Sequence, residues 1–223
     1  MFAHKIKAAA VVFAVATMAA PAHALVIGEA DSAGAFPFGP NAYLGGYYFQ
    51  QIYSSASFAS AIDISQISFY NTATPGGTLN SGAYQIYLST STLGVAGFDT
   101  TNGVEYPWLD TSWTQVYDGT LPALADGRVD LDLSTTFHYD PNAGSNLVLT
   151  VRNATLSSDG TAYLDVDKNV GVTNSRFSAY TYDWNQGLVT GFNVNPVPEP
   201  ESYALMLAGL GLIGAVARRR IAR

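Results

Sequence analysis

Cysteine is absent from all 223 residues. That excludes thiolate nucleophiles, thiolate metal sites and disulfides, so any folded body is held by its core alone. Histidine is nearly absent too. His4 and His23 lie at the N-terminal end, which leaves His138 as the single imidazole of the body and excludes histidine-rich zinc or iron centres by count. No G-x-S-x-G elbow accompanies it, and a solvated or hydrogen-bonded histidine is the expected role. Positive charge is scarce. Residues 25–201 carry all 17 acidic residues but only Arg128, Arg152, Lys168 and Arg176, a balance of −13. Such a surface repels nucleic acid and anionic lipid, and suits solubility or divalent cations. Finally, no stretch between Leu25 and Asn195 sustains a helical period.

What is present is most specific at the two ends. Lys5 and Lys7 precede an apolar run from Ala8 to Ala20, and Ala22-His23-Ala24 is a small-x-small cleavage pattern. This reads as a secretory signal peptide over residues 1–24, removed after Ala24. Pro21 interrupts the run and argues against a buried helix. At the other end, Val197-Pro198-Glu199-Pro200-Glu201 leads into the uncharged stretch Ser202 to Ala217, and Arg218-Arg219-Arg220 follows. Sixteen helical residues span about 24 Å against a hydrocarbon core of about 30 Å, short for a permanent anchor but within reach of a thinned bilayer. The arginines place that end in the cytoplasm and the body outside the inner membrane. Pro198 and Pro200 fix an extended backbone with two donors removed, a segment a protease could grip.

These three parts, in this order, resemble the PEP-CTERM sorting signal. The resemblance implies export in a Gram-negative bacterium that makes extracellular polysaccharide. It also implies recognition by a membrane-embedded exosortase, with cleavage near Pro198, Glu199 and Pro200. The protein would dwell transiently in the inner membrane through helix 202–217 and then reach the cell surface or matrix. The resemblance covers about 26 residues and leaves the passenger, residues 25–196, to be read by itself; the sorting tail is 197–223.

The passenger is one domain of ordinary size. Strands are expected at Gly46–Tyr53, Ile64–Tyr70, Ala83–Ser89, Trp113–Tyr117, Arg128–Leu133, Phe137–Tyr139, Asn146–Arg152, Ala162–Asp167, Arg176–Tyr182 and Leu188–Val194. Their alternation, with one face wet and one dry, predicts antiparallel sheets. The fold class is therefore all-β, a jelly-roll-like antiparallel β-sandwich, with a closed barrel as the alternative. Gly94 to Asp110 is unpatterned and reads as a loop. Thr136 to Leu149 also resembles the F-x-Y-x-P…N-L-x-L turn-and-strand pattern of PEP-CTERM protein bodies and other surface sandwiches, which supports the sandwich and carries no catalytic residue.

Candidate site residues are few. Trp108 lies in the long loop, Trp113 at a strand start, and Trp184 in the turn Asp183-Trp184-Asn185-Gln186-Gly187. Rings beside Asp183 and Asn185 suit a sugar, with stacking on its face and polar groups reading its hydroxyls; ordinary packing is the simpler account. Asp165, Asp167 and Asn169 are candidate calcium ligands. An EF-hand is rejected because Val170 and Arg176 stand where glycine and an acid are required. The simpler account is a strand whose acids face water. Glu29 and Glu105 are the only glutamates before the tail, and nothing around them marks a catalytic pair. The sequence thus predicts a non-enzymatic surface or matrix protein with extracellular polysaccharide as its candidate partner and no obligatory cofactor. The alternatives are a secreted glycosidase or lyase using two carboxylates, and a self-associating sheath component.

Overall fold

The computed structural model describes residues 25–40, 48–95, 112–169, 171–177, 182–184 and 186–193. Both ends, residues 1–24 with the expected signal peptide and 194–223 with the sorting tail, lie outside the described residues. Within them the chain forms β1 (Leu25–Ile27), β2 (Ser32–Gly34), β3 (Tyr48–Tyr53), β4 (Ile62–Tyr70), β5 (Ala83–Ser91), β6 (Thr114–Thr120) and β7 (Arg128–Tyr139). It continues with β8 (Asn146–Asn153), β9 (Leu164–Asp167), β10 (Thr173–Phe177), β11 (Tyr182–Trp184), β12 (Gly187–Leu188) and β13 (Thr190–Phe192). Among the described residues the helical pieces are the short 3-10 turns Ser55–Ser57 and Pro141–Ala143.

The strands make three antiparallel sheets. A six-stranded sheet has the order β11-β10-β3-β8-β5-β6, a four-stranded sheet β1-β13-β4-β7, and a three-stranded sheet β12-β9-β2. The period-2 pattern decides which residues enter the core. In β5, Tyr84, Ile86 and Leu88 are buried while Gln85 and Tyr87 are half-buried. β8 is central in its sheet and is buried on both faces from Leu147 to Val151. One continuous core takes Tyr84, Ile86, Leu149 and Val151 from the six-stranded sheet. Ile67, Phe69, Leu131 and Phe192 join it from the four-stranded sheet, and Leu164 and Leu188 from the three-stranded one. Aromatic edges close it. Phe38 lies 5.1 Å from Phe69 and 5.2 Å from Tyr84, and Tyr53 meets Phe192 at 5.3 Å. Burial raises the Tyr84 phenol to about 12, so it stays neutral and donates to Pro37 O.

Several expected elements differ in extent, for physical reasons. Arg128–Leu133 and Phe137–Tyr139 are one strand, β7. Its pairing to β4 slips between Ile64 and Gln66, so the stretch from Leu133 to Thr136 faces the single residue Ser65. Alternation is interrupted there and reads as a break. Arg176–Tyr182 is instead two strands, β10 and β11, paired through Phe177 and Tyr182, so Asp183 and Trp184 lie in a strand rather than a turn. Leu188–Val194 also divides. Leu188 pairs with Val166 of β9, whereas Thr190 pairs with Phe69 of β4, so the chain leaves one sheet and enters another across Val189. β1 and β2 are three residues each, too short to carry a pattern. Most of the expected loop from Gly94, residues 96–111, lies outside the described residues.

Polar side chains fix the sheets to one another. Gln51 Nε2 donates to Leu188 O at 2.9 Å, and Leu188 N donates to Gln51 Oε1 at 2.7 Å. That approach requires a glycine at 187, where a Cβ would fall 2.3 Å from Thr173 Oγ1. At the end of β13, Asn193 adopts φ +53 and is buried. Its Oδ1 accepts from Ser65 N at 2.8 Å and Gln66 N at 3.2 Å, and its Nδ2 donates to Asp63 O. The bulge at Ser65 is therefore satisfied by the last described residue. Asn193→Ala strands the buried Gln66 N–H and removes the part-buried bonds to Ser65 N and Asp63 O, and is expected to cost about 2–3 kcal/mol, lowering Tm by roughly 5–10 °C in thermal unfolding.

Candidate functional site

Two places carry polar side chains that the core does not demand. The first is β9. Sequence alternation puts Asp165 and Asp167 in water, but the structure buries both, at 1% and 2% exposure. The reason is position: β9 is the middle strand of the three-stranded sheet, and β4 also packs on it. Asp165 is saturated. Thr72 N donates to both of its oxygens at 2.8 and 3.0 Å, Ala73 N donates at 2.8 Å, and the Thr72 hydroxyl adds another bond. These bonds tie the end of β4 to β9, a structural role. Asp167 accepts one bond, from Asn169 N at 2.6 Å. It lines a cleft of about 370 Å³ together with Glu29, Asp31 and Asn169. Of the three calcium candidates, the structure thus brings Asp167 and Asn169 together and assigns Asp165 elsewhere. Asp31 was not anticipated; its only signal is its acidity, since β2 and its turn are too short to read.

The second place is the outer face of the six-stranded sheet, the side away from the core. Pleat and register set a row across it: Gln50 stands opposite Thr150, Thr150 opposite Tyr87, and Tyr87 opposite Gln115. Gln50 Nε2 donates to Thr150 Oγ1 at 2.9 Å, and this middle part is fully buried. Toward the β6 edge the face opens. There Arg152 Nη1 and Tyr87 OH both donate to Gln85 Oε1, at 3.0 and 3.1 Å. Gln85 Nε2 and Gln115 Nε2 both donate to Asp118 Oδ2, at 3.2 and 2.9 Å. The Trp113 ring lies 5.6 Å from that of Tyr87. Amides, a carboxylate and a guanidinium are thus held in one network beside an aromatic pair, with Gln115 and Asp118 exposed. This is the composition of a surface that reads hydroxyls and packs against C–H faces.

The remaining sequence candidates are placed as follows. Asp183 and Trp184 belong to β11 at the far edge of the same sheet. Trp108, Asn185, the cleavage residues Ala22 and Ala24, and the tail residues Pro198, Glu199, Pro200, Arg218, Arg219 and Arg220 lie outside the described residues. His138 Nδ1 is 2.6 Å from Asp63 Oδ1, and both side chains are about 70% exposed (69% and 71%). That is a solvated surface pair, since a catalytic dyad is normally shielded from water. Among the described residues no three acidic or histidine side chains group as a metal site, and no helix is long and apolar enough to cross a membrane.

Because the Asp165 bonds are internal to the fold, Asp165→Ala is expected to destabilise by about 2–4 kcal/mol in urea unfolding, equally with and without EDTA. A loss seen only when metal is present would place Asp165 in a metal site instead.

No curated protein matches the chain in sequence. Residues 196–220 do match the PEP-CTERM protein-sorting motif, beginning three residues after the Asn193 clasp, and this motif marks an exported protein processed by an exosortase.

Proposed function

We propose that this is a cell-surface or extracellular-matrix protein of a Gram-negative bacterium, delivered by a signal peptide and by exosortase cleavage of the tail. Its passenger is a jelly-roll-like β-sandwich that associates with extracellular polysaccharide and catalyses no reaction. The sorting motif at 196–220 carries the reading. The sandwich is supported by the main core, which the six-stranded and four-stranded sheets share. Polysaccharide association is supported by the open network around Gln85 and Asp118, beside Trp113 and Tyr87. The helix at 202–217 would hold the protein in the inner membrane only until cleavage. The strongly acidic body is suited to a hydrated matrix and unsuited to nucleic acid.

The test is co-sedimentation of the mature protein with the extracellular polysaccharide of its host. Wild type is expected in the pellet, and Asp118→Ala, an exposed change at the centre of the network, is expected to bind about tenfold more weakly. Absence of co-sedimentation would contradict polysaccharide association and favour a self-associating sheath component. Release of reducing ends from the polysaccharide would contradict the non-enzymatic reading and favour a glycosidase.

A further inference from the structure

The open network on the outer face of the six-stranded sheet is one-sided in its hydrogen bonding. Asp118 Oδ2 accepts from Gln85 Nε2 and Gln115 Nε2, at 3.2 and 2.9 Å. Gln85 Oε1 in turn accepts from Arg152 Nη1 and the Tyr87 hydroxyl, at 3.0 and 3.1 Å. Two carboxamide nitrogens, a guanidinium and a phenol are thus directed into the network. What is left toward solvent is acceptor. No described group bonds Asp118 Oδ1 or Gln115 Oε1, and both residues are exposed.

Charge points the same way. Neither β5 nor β6, the open edge of this face, contains a lysine or arginine. Arg128 pairs with Asp130 on the other sheet, Lys168 follows β9, and Arg176 belongs to β10, toward the opposite edge. A ligand bearing carboxylate, sulfate or phosphate would therefore meet a body of charge −13 with no cation on this edge to receive it. An ammonium group brings three donors and a positive charge to a surface that offers a carboxylate and a carbonyl oxygen, and charge-assisted bonds are about twice as strong as neutral ones. The half-buried rings of Trp113 and Tyr87, 5.6 Å apart, border the same place, and aromatic faces attract cations.

We propose that the β5–β6 edge selects cationic amino-sugar polymers, those with free amines, over neutral or anionic polysaccharides, an inference that rests on the polysaccharide association above. Asp118 Oδ1 receives the sugar ammonium, Gln115 Oε1 accepts from the ammonium or a neighbouring hydroxyl, and Trp113 and Tyr87 flank the charge. The bonds from Gln85 and Gln115 hold the Asp118 carboxylate in place before the ligand arrives, which lowers the entropy cost of binding. Acetylation of the sugar nitrogen removes its charge and two of its three donors, so the N-acetylated polymer loses the interaction that the edge is built to make.

The test is titration of the mature protein with short oligomers of glucosamine, N-acetylglucosamine and galacturonate, read by calorimetry and tryptophan fluorescence. Mildly acidic buffer keeps the amines protonated and aspartate ionised, and near-physiological salt screens diffuse attraction. Wild type is expected to bind the free-amine oligomer about tenfold more tightly than the N-acetylated one, and the galacturonate oligomer least. Asp118→Asn keeps the shape and the exposed position, and should bring the first two affinities to within about twofold. Asp126→Asn, in the exposed turn before β7, removes the same charge elsewhere and should leave the preference intact. The inference is overturned if wild type prefers the N-acetylated or galacturonate oligomer or shows no preference, if Asp118→Asn keeps the preference, or if Asp126→Asn loses it equally. Co-sedimentation with the host polysaccharide but no preference for the amine would overturn this inference alone. Binding to neither the host polysaccharide nor any oligomer would overturn the association it rests on as well.

Discussion

The Gln51 carboxamide holds Leu188 through both its N–H and its C=O, and most of the architecture is arranged around that pair of bonds. Gln51 belongs to the six-stranded sheet and Leu188 to the three-stranded sheet, so the bonds cross between layers as a peptide ladder would within one. With no cysteine available, this is how the chain cross-links itself. Gly187 is small because Thr173 and Gln51 come so close. Three residues on, Thr190 enters the four-stranded sheet and meets the Tyr53 hydroxyl at 2.8 Å. The stretch from Gly187 to Asn193 therefore fastens all three sheets, ending in the Asn193 clasp on the β4 bulge.

That arrangement bears on sorting. The sorting motif begins at residue 196, directly after a segment locked into the core. β1, the first described strand, pairs with β13, so Leu25 lies opposite Phe192. The two ends of the passenger are side by side, each joining a segment outside the described residues. Cutting near Pro198 would remove nothing that the clasp, the Gln51 bonds or the shared core require. A body built this way can lose its sorting tail without refolding.

Strands buried on one face were legible in the sequence. Tyr84, Ile86 and Leu88 alternate with polar residues, and the pattern located β5 nearly to the residue. Period-2 reasoning assumes one wet face, and it fails where both faces are covered. Asp165 and Asp167 alternate with Leu164 and Val166 as though they faced water, yet β9 lies between two other strands and under β4. The donors that satisfy Asp165 come from residues 72 and 73, more than ninety positions away, and no local pattern encodes that. The network of Gln85, Asp118 and Arg152 was invisible for the same reason, since it is assembled by register between β5, β6 and β8. The tail was the opposite case. Its order of proline, apolar run and arginines is a linear signal, so sequence alone sufficed.

Delivery and processing are the claim on which the functional account stands, and intact mass of the protein from its own host, taken with its cell fraction, tests them together. The account predicts a chain that begins at Leu25, ends between Val197 and Glu201, and is recovered from the outer or matrix fraction. A chain ending at Arg223 in the inner membrane would contradict it. The tail would then be a plain anchor, and the passenger would act at the periplasmic face.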